Sequence, residues 1–202
     1  MQNKILHTAS KLFLSLGFKS VTMDDIAEKM AISKKTIYEY YQNKTALVEA
    51  SIHYTFEQIT KKIDAVCNKD YQKSPIKTLF DLNKFIQEHI NEDNAPEYQL
   101  QKYYPKIAKS LQKKKFTIMT TGISENLEQG IALGLYRKDI NVSMIARFYY
   151  VAINALRGSE IFQEGNYKIS ELMNTYLHYH IRAIATPKGL KELENYLEKN
   201  ED

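Results

Sequence analysis

Lys35, Thr36 and Glu39 fall on one side of a short helical pattern that begins at Ser33. Ile37 and Tyr41 are four residues apart, and placing both inward turns those three side chains outward, with Lys34 and Tyr38 on the flank. These residue types suit the reading of base edges. Lysine donates to guanine acceptors or to phosphate, threonine meets a phosphate or a thymine methyl, and glutamate accepts from cytosine N4. Lys44 follows at the start of the next helix, where an ammonium and unpaired backbone N–H groups can hold a phosphate together. The plain alternative is a solvated helical hairpin with ordinary surface lysines.

The elements that must position these groups are equally local. Thr22 is a good N-cap whose hydroxyl can accept from the Asp25 N–H, and Asp25 suits the positive end of a helix. Ile26, Ala27 and Met30 then form an apolar stripe. Ser33 is a second N-cap type, and only Ala31 and Ile32 separate the two helices, so the chain must turn sharply, as in a helix-turn-helix. Upstream, Ile5, Ala9, Leu12, Phe13 and Leu16 make one stripe that Gly17-Phe18 closes. Three helices over residues 1–45 bury too little to stand alone. The helix that starts near Lys44 and runs through Leu47, Ile52, Phe56, Ile59 and Ile63 has to brace them.

The run Ile26-Ala27 through Ile32-Ser33-Lys34-Lys35-Thr36-Ile37-Tyr38-Glu39-Tyr40-Tyr41-Gln42-Asn43-Lys44-Thr45-Ala46-Leu47 resembles the TetR family of bacterial transcription regulators. The match covers both helices, the turn and the next helix start in register. The first helix, with its Ala-x-x-Leu-Phe-x-x-x-Gly-Phe-x-x-Val-Thr pattern, is similar as well. Ala31 departs from the family, which usually has Gly there. If that backbone is left-handed, Ala costs about 1 kcal/mol. Tyr41 stands where Phe is commoner and still fills a core position. A second signature, Gly130-Ile131 through Gly134, Tyr136, Arg137 and Asp139, resembles the family's Gly-Ile-x-x-Gly-x-aromatic-Arg-x-Asp. The resemblance implies a DNA-binding face of Thr22, Ser33, Lys34, Lys35, Thr36, Tyr38, Glu39, Tyr40 and Lys44.

Composition agrees with an ordinary globular protein: 202 residues, 44% hydrophobic and 26% charged. The net charge of +4 is uneven, because residues 1–48 hold seven lysines against four acids while the rest is nearly balanced. That asymmetry is expected if one end meets DNA. Cys67 is the sole cysteine, so no intrachain disulfide is possible, and packing or simple exposure is its expected role. The N-terminus lacks an apolar signal core, and Ile145 to Leu156 is too short to span a bilayer. A cytoplasmic protein is expected.

The fold class expected is all-α, with a DNA-binding head over 1–45 and a ligand-binding and dimerisation body over 46–202. Only seven glycines and four prolines punctuate the chain. Helices are expected from Pro75 to the polar run 91–94, in a short segment between Pro96 and Pro105, from Ile107 to Ile131, over 142–163 and over 169–185. A short exposed helix that frays is expected after Pro187. The resemblance makes the 142–163 and 169–185 pair the dimer interface, through Met144, Phe148, Val151, Ala155, Gly158 and Phe162 with Leu172, Tyr176, Tyr179 and Ala183. Their alternative role is internal core. Ala155, Gly158 and Ser159 would allow close helix approach. An effector pocket is placed at Tyr103, Tyr104, Phe116, Met119, Tyr149 and Asn154, for a partly apolar or aromatic compound.

The function expected is a homodimeric regulator, a repressor released from a palindromic operator by a small molecule. Its partners are operator DNA, a second copy of itself and that effector, with no membrane, cofactor or metal. An activator with the same head, or a helical ligand-binding or protein-interaction module, are the alternatives. Enzymatic chemistry has little support: there is no phosphate-cradling Gly loop, His-Glu-x-x-His or Gly-x-Ser-x-Gly. His178 and His180 lie on different faces of one helix and cannot pair on a metal.

Overall fold

The computed structural model describes residues 1–68, 74–89, 95–158, 162 and 167–200. Among them are ten α-helices: α1 (Gln2–Leu16), α2 (Met23–Lys29), α3 (Lys34–Tyr38), α4 (Lys44–Asn68), α5 (Pro75–His89), α6 (Ala95–Tyr103), α7 (Pro105–Ala132), α8 (Val142–Gly158), α9 (Ile169–Ile184) and α10 (Pro187–Glu198). The all-α expectation holds. The polar run 91–94 and the end of the 142–163 helix lie outside the described residues, apart from Phe162. No described helix is long and apolar enough to cross a membrane.

The chain forms two compact units, Met1–Lys62 with Asp93–Lys114, and Ile63–Glu92 with Lys115–Asp202. In the first, Ile5, Phe13, Phe18, Ile26, Ile37 and Leu47 are buried together. Leu100 of α6 and Ile107 of α7 complete that core. The brace for the small head is therefore wider than α4 alone.

The connection from α2 to α3 is a Schellman turn. Ile32 N–H reaches back to Ala27 O and Ala31 N–H to Glu28 O, both at 3.0 Å, so carbonyls left open by the helix end are satisfied. The geometry needs a left-handed residue, and Ala31 supplies it at φ 52°. Glycine takes this conformation without the clash that Cβ makes with the carbonyl, so Ala31 carries strain.

In the second unit, Tyr136 is fully buried in a core with Leu127, Leu177, Ile181 and Leu193. The signature beginning at Gly130 explains itself here. A Cβ on Gly130 would run into the Tyr136 ring. Gly130 O accepts from Leu135 N and Tyr136 N at 2.8 and 3.1 Å, and Gly134 turns the chain at φ +71°. The Tyr136 hydroxyl donates to Asn126 Oδ1 at 3.3 Å, and Asn126 Nδ2 donates to Pro75 O at 2.9 Å.

The segment after Pro187 departs from expectation. α10 packs against the body: Leu193 is buried in the core and Tyr196 stacks on Phe80 with ring centroids 4.6 Å apart. Thr186 caps it by accepting from Gly189 N at 3.2 Å. Leu190, Leu193 and Leu197 make a stripe at helical spacing, which hides among eight charged or amide side chains in the sequence from Lys188 to Asn200.

Two substitutions test these turns with opposite signs. Ala31→Gly should raise the unfolding free energy by about 1 kcal/mol, read as a shifted midpoint in urea at unchanged slope. Gly130→Ala should lower it by about 1–3 kcal/mol, because the added methyl overpacks the Tyr136 ring.

Candidate nucleic-acid interface

α2 and α3 both start on side-chain caps. Thr22 Oγ1 accepts from Asp25 N at 3.1 Å while Asp25 Oδ2 accepts from Thr22 N at 2.7 Å, a reciprocal capping box. That N–H lowers the Asp25 pKa below the ordinary carboxylate value. Ser33 Oγ accepts from Thr36 N at 3.1 Å and shares a second hydrogen bond with Thr36 Oγ1 at 2.9 Å. α3 is only five residues long. It is anchored from inside, since Ile37 is fully buried and Tyr41 nearly so.

With those two positions inward, Lys35 and Glu39 are exposed and Thr36 is half-buried at the edge. Tyr38 and Tyr40 are also exposed, at 44% and 43%. The outward side of α3 and its C-terminal end thus presents Lys35, Glu39 and the Tyr38 and Tyr40 edges; the spacing placed Lys35 and Glu39 there, with Thr36 now at the rim and Tyr40 added. Lys34 is not idle: its ammonium donates to Asp24 Oδ2 at 2.7 Å, which raises its pKa. This pair is exposed, so a competing phosphate can open it at small cost.

Lys44, the first residue of α4, sits differently from the free ammonium expected at that helix end. Its Nζ donates to Lys19 O at 3.0 Å, and burial lowers its pKa. It ties α4 to the α1–α2 turn and has further N–H donors besides. Asn43, which the sequence reading passed over, is the α4 cap, its Oδ1 accepting from Ala46 N at 2.9 Å. Its signal was plain, an Asn directly before a helix.

The residues placed at an effector pocket fall in both units. Tyr103 and Tyr104 belong to the first unit, where Tyr104 packs edge-on against Phe18. Phe116, Met119, Tyr149 and Asn154 belong to the second. Tyr149 is buried beside His180 and Tyr176, at centroid distances of 5.0 and 5.8 Å. Asn154 is exposed, its Nδ2 donating to Tyr150 O at 2.6 Å. Five helical positions turn the chain by about 140° beyond a full revolution, so these two face apart. Phe116 meets Tyr150 edge-to-face at 5.1 Å, with the Arg147 guanidinium 5.3 Å above its ring.

The α8 residues of the expected dimer interface are on the outside. Met144, Phe148 and Val151 are 51%, 59% and 62% exposed, and Ala155 and Gly158 continue the line outward. The core of the unit takes the other face, Ala146, Tyr149 and Ile153. On α9, Tyr179 is 70% exposed and Ala183 is exposed, while Leu172 and Tyr176 are half-buried, as is Phe162. His178 and His180 part as expected, His178 against Phe80 and His180 inside against Tyr149. Burial lowers the pKa of His180 to about 4, which keeps it neutral. Cys67 is half-buried, and burial raises its thiol pKa away from the reactive thiolate.

Comparison with known proteins agrees with this head. The sequence profile of bacterial regulatory proteins of the tetR family matches residues 5–51. The biofilm operon icaADBC HTH-type negative transcriptional regulator IcaR of Staphylococcus aureus is 28% identical over 104 residues, covering 48% of this chain and 56% of that protein. The chain thus spans about half the length of the curated relatives it matches first. Among solved structures, a TetR-family transcriptional regulator from Cytophaga hutchinsonii superposes with a TM-score of 0.71 at 16% identity, covering 91% of this chain and 94% of that one. FadR from Bacillus subtilis, solved with stearoyl-CoA, superposes with a TM-score of 0.64 at 14% identity, covering 90% and 98%. These two show the fold. Residues 5–51, which hold both helices, their turn and the start of α4, are thus similar to the bacterial regulatory proteins of the tetR family.

Proposed function

We propose that this protein is a homodimeric DNA-binding repressor whose grip on a palindromic operator is released by a small molecule. The observation that carries the DNA reading is α3 itself. Its apolar side is locked into the head by Ile37, and its Lys35, Thr36 and Glu39 side is presented outward. Thr22, Ser33, Lys34, Tyr38, Tyr40 and Lys44 border that side as phosphate contacts. IcaR is named a negative regulator, which favours repression. Such a protein works where bacterial DNA lies, in the cytoplasm.

The dimer reading rests on the exposed line of α8 and α9. An apolar stripe of Met144, Phe148 and Val151 left in water calls for a partner, and small residues at Ala155 and Gly158 let a second helix come close. A two-fold pair places its recognition helices about one turn of DNA, or a multiple, apart, which makes the operator palindromic. In this reading the effector binds the second unit near Phe116, Met119 and Tyr149. FadR, solved with stearoyl-CoA, is a precedent on the same fold for a bound small molecule. α4 runs from the first unit into the second, so it couples effector to head. The effector shifts the equilibrium only by its unequal affinity for the two states.

Selection of fragmented genomic DNA by the purified protein should enrich a palindrome. On that sequence, Lys35→Ala and Thr36→Ala should each cost about 1–3 kcal/mol of discrimination. Parent-like selectivity in both variants would remove α3 from the reading role. Phe148→Asp with Val151→Asp should give a monomer by light scattering with unchanged helicity. A variant that stays dimeric would move the interface elsewhere.

A further inference from the structure

Lys19 of the α1–α2 turn and Lys102 of α6 converge on one aromatic ring. Lys19 Nζ stands 5.5 Å from the centroid of the Tyr103 ring. Lys102 Nζ stands 5.6 Å from that same ring and 5.8 Å from the ring of Tyr98. Both tyrosines are exposed, at 39% and 64%. α6 is held against this turn by Gln99, whose Oε1 accepts from Phe18 N at 2.9 Å, and by Leu100 in the head core. The placement of Lys102 therefore follows from packing.

Two ammonium groups gathered at one ring repel each other, and the electron-rich ring face offsets part of that cost. Among the described residues neither lysine forms an ion pair with a carboxylate. Asp25, the acid that faces Lys44, accepts from the Thr22 N–H. Lys44 adds a third cation, bonded to the carbonyl of Lys19 itself. Lys44, which opens α4, bonds the Lys19 carbonyl, and Thr22, which caps α2, stands three residues along the chain from Lys19. Unpaired ammonium groups next to a DNA-reading face match one polyanion above others, the phosphate backbone of the same duplex.

We infer that Lys19 and Lys102, on the shared platform of Tyr103, form a second phosphate-binding patch that grips the DNA backbone beside the segment read by α3. The inference rests on the DNA-binding reading above. It adds sequence-independent affinity that α3 does not supply.

The test is the salt dependence of binding by the full chain to a mixed-sequence duplex several helical turns long, between roughly 50 and 200 mM salt. Lys19→Ala and Lys102→Ala should each lower the slope of log K against log salt by about 0.9, one phosphate contact apiece. Lys19→Arg and Lys102→Arg should keep the slope, and base preference should not change in any of the four. Lys191→Ala, an exposed lysine of α10 in the other unit, should leave the slope alone. Parent-like slopes in both alanine variants, alongside lost selectivity in Lys35→Ala, would overturn the patch and leave the reading helix standing. An equal drop in Lys191→Ala would reduce the effect to net charge and overturn it too. A parent with no salt-dependent DNA binding would overturn both readings together.

Discussion

A helix of five residues has no stability of its own, because nucleation costs more than its few hydrogen bonds return. α3 exists because Ile37 is drawn fully into the head core. Burying such a side chain contributes about 1.5–3 kcal/mol. The Ser33 cap adds about 1 kcal/mol more. Everything on its outward side inherits that anchoring: the direction of Lys35, the exposure of Glu39 and the edges of Tyr38 and Tyr40. The Schellman turn at Ala31 sets the angle at which α3 leaves α2, so a strained residue sits at the pivot of that outward side. The strain is tolerated because the turn's two backbone hydrogen bonds and the burial on either side outweigh it.

The second unit depends on a comparable close approach. Tyr136 lies where only a glycine at 130 leaves room, and its hydroxyl joins Asn126 and the start of α5 in a hydrogen-bonded chain. With α9 and α10 packed on this centre, α8 is left with two different faces. One carries Tyr149 and Ile153 into the core, and the other carries Phe148 and Val151 into water. A helix apolar on both sides is a poor design for a free surface and a good one for a shared interface, which is why the proposed dimer is built there.

The electrostatics of the head divide into structure and reserve. Lys34 is spent on Asp24 and Lys44 on the Lys19 carbonyl, so they orient elements as well as offering charge. Lys35, Lys19 and Lys102 have no carboxylate partner among the described residues. Their positive charge is uncompensated on a surface proposed to meet a polyanion, which is the distribution that long-range steering favours.

Local chemistry was legible from the residues alone. Thr22 and Ser33 read as caps because a cap needs only partners three residues away, and Ile37 and Tyr41 read as inward because helical spacing leaves no other choice. The strain at Ala31 was legible only through the resemblance, since TetR-family sequences usually have Gly there, and the backbone at φ 52° bears it out. The two runs that resemble TetR-family signatures were likewise legible, and the tetR-family profile matches the first of them. Contacts between distant residues were not legible. Nothing near Lys44 announces Lys19 O, nothing near Lys34 announces Asp24 ten positions earlier, and Gln99 reaches Phe18 across 81 positions. The tail after Pro187 looked too polar to bury, until the packing of its leucine stripe and the stacking of Tyr196 on Phe80 decided otherwise. Which face of α8 is core and which is surface was also a tertiary decision. Both faces are apolar, and only the position of the neighbouring helices breaks the tie.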